Sequence, residues 1–120
     1  MKIDERLNTY KAKVLRVVDG DTLSVIIDLG FKTHAVRTLR LIGVDTPERG
    51  KPGYFEAKEF TAQAVDGADI YVQTYKADAF GRYLANVWYT DDNGNEYRLS
   101  HELRTQGLIK DDSKWNKEDK

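Results

Sequence analysis

Apolar and polar positions alternate in two-residue steps through the first third of the chain and in helical steps only later. Tyr10 to Val18 (YKAKVLRVV) alternates in part and is rich in β-branched residues. The Asp-Gly of DGDT is a hairpin signal, and Thr22 to Gly30 (TLSVIIDLG) reads as the returning strand. Thr33 to Val44 (THAVRTLRLIGV) is a third strand. After Pro52 and Gly53 the period changes: Ala57, Phe60 and Ala64 fall at i, i+3 and i+7, one face of a helix that Gly67 ends. Asp69 to Tyr75 and Tyr83 to Thr90 read as two more strands, joined by KADAFGR. DDNGN is a turn, and LSHELRTQG sets Leu99 and Leu103 four apart before Gly107, which predicts a second short helix.

Five short strands with a helix after the third predict an α+β, mainly β domain: a five-stranded OB-type barrel with two helices. At 120 residues the chain has room for one hydrophobic core and not for two. Its 40% apolar content and seven tyrosines mark a folded domain rather than a disordered one. No cysteine occurs, so disulfide and thiolate chemistry are excluded. MKIDERLNTY carries charge where an export signal needs an apolar stretch, and no segment approaches the roughly 20 apolar residues of a membrane span. The expectation is a soluble chain, cytoplasmic or of unknown compartment, that acts as a monomer and has no membrane partner. With 19 basic and 20 acidic side chains it lacks the large positive field of a sequence-blind DNA coat. For nucleic acid to be a partner, a local site has to bind it.

The charged residues supply that candidate. In LRLIGVDTPERG, Arg40 interrupts an apolar run and Asp45 and Glu48 follow it. A helix start accounts for Asp45, Thr46 and Pro47 but leaves Arg40 and Glu48 without a reason. VDGDT adds Asp19 and Asp21, of which the turn needs only one, and FGR adds Arg82. Carboxylates gathered at one barrel end repel one another unless a cation sits among them. Oxygen ligands without His or Cys suit a hard ion, Ca²⁺ or Mg²⁺, and guanidinium forks suit a phosphate. Asp19 is equally well a water-mediated partner of the ion or the first residue of a turn. Arg49 and Lys51 either extend a positive rim or solubilise a loop. His34 and His101 have no ligand spacing and read as surface residues, while Phe60, Tyr71 and Trp88 read as core.

VVDGDT, an arginine five residues before the aspartate of VDTPE, then FGRYLA, then LRTQGL form an ordered set. By these motifs the chain resembles the staphylococcal-nuclease-like (thermonuclease) family over about Tyr10 to Lys110. The resemblance implies an OB-fold nuclease domain over 10–110, with 1–9 as an N-terminal extension; the charge-rich 111–120 reads as a polar tail, in which Trp115 is either solvated or a stacking platform. It implies a Ca²⁺-dependent phosphodiesterase on DNA and RNA, leaving 3′-phosphate and 5′-hydroxyl ends. Asp21 and Asp45 match the family's calcium carboxylates, and Thr46 matches the position that lends a backbone carbonyl. Arg40 and Arg82 match its phosphate-binding arginines, and Glu48 its proposed general base. The turn departs from the family at Ala79 and Phe80, where Lys-Tyr is usual. Two other uses of such a barrel do not need Glu48 or the paired acids: a non-catalytic nucleic-acid-binding module and a protein-interaction domain.

Overall fold

The computed structural model describes residues 7–110. The tail over 111–120, with Trp115, and all but the last three residues of the N-terminal extension lie outside the described residues. The elements are β1 (Thr9–Asp19), β2 (Thr22–Asp28), β3 (His34–Leu41), α1 (Tyr54–Val65), β4 (Asp69–Ala77), β5 (Tyr83–Thr90), β6 (Glu96–Arg98) and α2 (Leu99–Thr105).

Antiparallel neighbours run β3-β2-β1-β4-β5, and a parallel pairing of β3 with β5 closes the sheet into the expected five-stranded OB-type barrel. Among the described residues, closure leaves the short β6 as an added edge strand, hydrogen-bonded to β5 beyond the Asp91 turn. Inward positions repeat every second residue, as the pleat requires: Leu23, Val25 and Ile27 on β2, Leu39 and Leu41 on β3, Ile70 and Val72 on β4, Ala85 and Val87 on β5. Val65 of α1 and Leu99 and Leu103 of α2 complete the same core. Fully burying a valine or leucine contributes about 1.5–3 kcal/mol, so this alternation fixes the register of each strand.

Four details differ from the sequence expectation. The buried face of α1 is Tyr54, Ala57, Thr61 and Val65, with Phe60 and Ala64 only partly covered at its side. Tyr71 is exposed, because β4 turns Ile70 and Val72 inward and Tyr71 must then face out. Trp88 is half-buried on the corresponding outer face of β5. β3 stops at Leu41 although the apolar run continues to Val44. There Gly43 takes a left-handed φ of 82°, and Arg104 of α2 donates to its carbonyl. The chain thus leaves the sheet while Val44 stays buried. Among the described residues no helix is long and apolar enough to cross a membrane.

Candidate active site

Three turns meet at one end of the barrel: Asp19–Asp21 between β1 and β2, residues 43–49 after β3, and residues 78–82 before β5. With Lys110 from beyond α2 they line an open cavity of about 330 Å³ that holds Asp19, Asp21, Arg40, Asp45, Thr46, Glu48 and Arg82. All six residues singled out by the resemblance therefore share one cleft.

Its floor is built by strand register. Thr22 pairs with Arg40 across β2 and β3, and the Leu41 amide donates to the Asp21 carbonyl at 2.9 Å. This sets the Asp21 and Arg40 side chains next to each other. The Asp21 carboxylate is nearly buried and accepts from the Thr22 hydroxyl at 2.9 Å and from the Thr46 amide at 3.0 Å. Gly20 is required beneath them: a Cβ there would lie 2.9 Å from that of Ala57, and the Gly20 carbonyl accepts from the Thr61 hydroxyl at 2.7 Å. Helix α1 thus presses directly on the turn that presents Asp19 and Asp21.

Arg40 is 9% exposed. One terminal nitrogen donates to the Leu41 and Val44 carbonyls, each at 2.7 Å. The other lies 3.3 Å from Asp21 and hydrogen-bonds the Asp45 carboxylate. Burial pushes its pKa below the ordinary arginine value; Asp21 opposes that shift and the nearby Arg82 adds to it. The expectation of carboxylates left to repel one another is corrected here, because the protein's own guanidinium bridges Asp21 and Asp45.

The remaining groups stand at the rim. Arg82 is clamped by Asp78, whose Oδ2 accepts from Arg82 Nε at 2.9 Å and from a terminal nitrogen at 2.7 Å. The other Asp78 oxygen accepts from the Phe80 and Arg82 amides, so one carboxylate shapes the turn and aims its arginine. Partial desolvation raises the Asp78 pKa, but the hydrogen bonds from Arg82 and Phe80 outweigh it and hold the group below its ordinary value. Glu48 is largely solvent-exposed and accepts from Lys110 Nζ at 2.8 Å, and that bond and the charge of Lys110 lower its pKa. The Lys110 amide also donates to the Asp45 carbonyl at 2.8 Å. Lys110 reaches this place because α2 ends in a Schellman turn at Gly107, with Leu108 N donating to Leu103 O and Gly107 N to Arg104 O. Asp19 lines the cavity and accepts from the buried Tyr54 hydroxyl at 2.8 Å. Arg49 lines the cavity as well, whereas Lys51 does not; His34 and His101 are exposed.

Asp78, Lys110 and Tyr54 escaped the sequence reading. The first had a signal in its position four residues before Arg82 in a turn; the other two are joined to their partners only by the fold. Among the described residues no three Asp, Glu, His or Cys side chains cluster closely enough to hold a metal ion. The donor set is instead two carboxylates, Asp21 and Asp45, that already share one cation, with the main chain of Thr46 beside them. Such all-oxygen donors fit a hard divalent ion that keeps several waters.

The family model described as "Staphylococcal nuclease homologue" matches residues 38–120. The chain is 38% identical over 111 residues to a thermonuclease of Staphylococcus hyicus, covering 86% of this chain and 60% of that protein. It is 38% identical over 100 residues to a thermonuclease of Staphylococcus intermedius, covering 77% and 55%. An uncharacterized endonuclease of Escherichia coli is 31% identical over 88 residues, covering 72% and 54%. The chain therefore spans little more than half the length of these relatives.

Proposed function

The chain belongs to the staphylococcal nuclease homologue family, and on that premise we propose that it is a Ca²⁺-dependent phosphodiesterase that cleaves DNA or RNA, with residues 10–110 as the catalytic unit. The observation that carries the reading is the convergence of Arg40, Arg82 and Glu48 on the cleft that also holds Asp21, Asp45 and Thr46. A structural barrel has no need of a buried arginine bridging two acids beneath an open cavity.

In this reading Asp21, Asp45 and the Thr46 carbonyl hold Ca²⁺. When bound, the ion supplies Lewis-acid polarisation of a phosphoryl oxygen. Arg40 and Arg82 bind the phosphate oxygens by forked hydrogen bonds and stabilise the charge that accumulates on them as phosphorus becomes five-coordinate. Glu48 accepts a proton from the attacking water, whose oxygen forms the new P–O bond. The P–O5′ bond breaks, and the 5′ oxygen leaves as a hydroxyl after protonation from solvent. The products are a 3′-phosphate and a 5′-hydroxyl. Glu48 is ionised at neutral pH, and the Lys110 bond that lowers its pKa must loosen for the carboxylate to take that proton.

The test is cleavage of a fluorescent oligonucleotide with Ca²⁺ and with excess chelator, followed by end analysis. Labelling by polynucleotide kinase without prior phosphatase treatment identifies 5′-hydroxyl ends. Cleavage unchanged by chelator rules out the ion, and 5′-phosphate ends rule out the stated bond.

A further inference from the structure

Tyr54 stands behind the wall of the cleft, at the first position of α1, and is only 2% exposed. The chain on either side fixes it there. Gly53 turns into the helix with a left-handed φ of 90°, packed so closely on Pro47 that a Cβ at the glycine would lie 3.1 Å from the proline Cγ. The Tyr54 amide donates to the Lys51 carbonyl at 3.2 Å, and the Lys51 amide to the Glu48 carbonyl at 2.9 Å. Tight turns therefore run without a break from Glu48 to the tyrosine. Phe55 meets the ring edge-on, with 5.2 Å between centroids.

Both ends of this side chain hold residues that line the cavity, although Tyr54 itself does not line it. Its hydroxyl donates to Asp19 Oδ1 at 2.8 Å, and its ring lies 5.7 Å from the Arg49 guanidinium, a cation–π distance. Burial, and after it the bond to Asp19, push the Tyr54 pKa up, so the phenol keeps its proton and remains a donor. The other cleft acids are treated differently. Arg40 bridges Asp21 and Asp45, Lys110 binds Glu48, and Arg82 binds Asp78. Among the described residues neither Asp19 nor Arg49 belongs to an ion pair. A neutral phenol fixes both in place without neutralising either, which leaves an anion and a cation on the cavity wall with their charges available to a ligand.

We propose that Tyr54 is a positioning residue of the cleft: its hydroxyl aims the Asp19 carboxylate at the water shell of the ion, and its ring presents Arg49 to a substrate phosphate. The inference rests on the nuclease reading for what occupies the cavity. One buried side chain then sets the spacing between a charge that serves the ion and a charge that serves the substrate.

The test reads the two ends of the side chain separately. Isothermal titration of Ca²⁺ at saturating nucleoside monophosphate reads the hydroxyl; anisotropy of a short single-stranded oligonucleotide in chelator, over a range of salt, reads the ring. Tyr54→Phe removes only the hydroxyl and is expected to weaken Ca²⁺ binding by about 3- to 10-fold, as loss of one hydrogen bond does. Added to Asp19→Asn it causes no further loss, because the group it aims has already lost its charge. Its salt slope stays parental, since the ring remains under Arg49. Arg49→Ala and Tyr54→Leu each lower that slope by about 0.7, the value of one phosphate contact on a single strand. Parental Ca²⁺ affinity in Tyr54→Phe overturns the proposal, as do independent, multiplicative losses from Tyr54→Phe and Asp19→Asn or a parental slope in Arg49→Ala. A tyrosine that only packs would lower the melting temperature of Tyr54→Leu and give those three results. Cleavage by the parent chain decides the nuclease reading by itself: absence of cleavage with Tyr54-dependent Ca²⁺ binding retains the positioning role and removes the chemistry, and a parent that binds no Ca²⁺ overturns both.

Discussion

Arg40 is the residue on which the cleft turns. A guanidinium this buried loses hydration, and it keeps its charge because Asp21, Asp45 and two carbonyls surround it. This reverses an expectation drawn from crowded acids alone, in which removing one carboxylate relieves repulsion. With Arg40 between them, Asp21→Asn withdraws an anion from a buried cation and is expected to destabilise the ion-free protein by about 1–3 kcal/mol. Urea denaturation in chelator checks this, and a variant more stable than the parent would refute the bridging role. A second expectation concerns catalysis. Arg40→Ala and Arg82→Ala should each lower kcat/KM on the order of 10³-fold, because each removes charge stabilisation from the transition state. Glu48→Gln should lower kcat while leaving oligonucleotide binding nearly unchanged. Parent-like turnover in either arginine variant would remove that residue from the mechanism.

At the scale of elements, the cleft depends on contacts that hold its turns in place. The tightest is α1 against the β1–β2 turn, where Gly20 leaves no space for a methyl group. Gly20→Ala should cost about 1–3 kcal/mol by overpacking and also reduce cleavage, since relief moves the turn carrying Asp19 and Asp21. A variant with parental melting temperature and activity would contradict this. Asp78→Asn should lower kcat/KM by roughly 10-fold, less than loss of Arg82 itself, because the arginine remains and only its aim is loosened. Much of this was legible beforehand. Two-residue alternation with β-branched side chains marked β1, β2 and β5, and motif spacing marked the six cleft residues. The short β6 was not legible, because three residues hold too few positions to show a period. The outward turn of Tyr71 and the Lys110–Glu48 pair were hidden for another reason: each is decided by register or by residues far apart in sequence.

For the whole molecule, three carboxyl groups hold local structure in a way that pH can read: Asp78 and Asp91 each fix their own turn, and Glu48 joins its loop to Lys110. Glu48 is held below its ordinary pKa by the Lys110 bond. The Asn95 amide does the same for Asp91; for Asp78 desolvation is the largest single influence and raises the pKa, but the bonds from Arg82 and Phe80 together outweigh it. A depressed folded-state pKa adds stability above the unfolded value, and that stability is lost as pH falls through the folded value. The urea midpoint should therefore fall as pH drops below about 4, the ordinary carboxyl range, and Asp78→Asn should flatten that fall. A midpoint independent of pH between neutrality and pH 3 would contradict it. The last expectation joins metal and substrate. Arg40 bridges the two carboxylates that would hold Ca²⁺ in the proposed reading, so on that reading binding the ion alone must displace a guanidinium from its anions. A nucleotide phosphate offers that guanidinium another anion at the same cavity. Ion and phosphate should then bind with positive coupling, and linkage makes the effect reciprocal: each tightens the other by the same factor, about 5- to 150-fold. Isothermal titration of Ca²⁺ with and without saturating nucleoside monophosphate, and of the nucleotide with and without Ca²⁺, measures both sides of the cycle. Arg40→Met leaves the carboxylates without their bridge. It should bind Ca²⁺ alone more tightly than the parent and lose most of the coupling; full coupling in that variant would show that Arg40 is not the link.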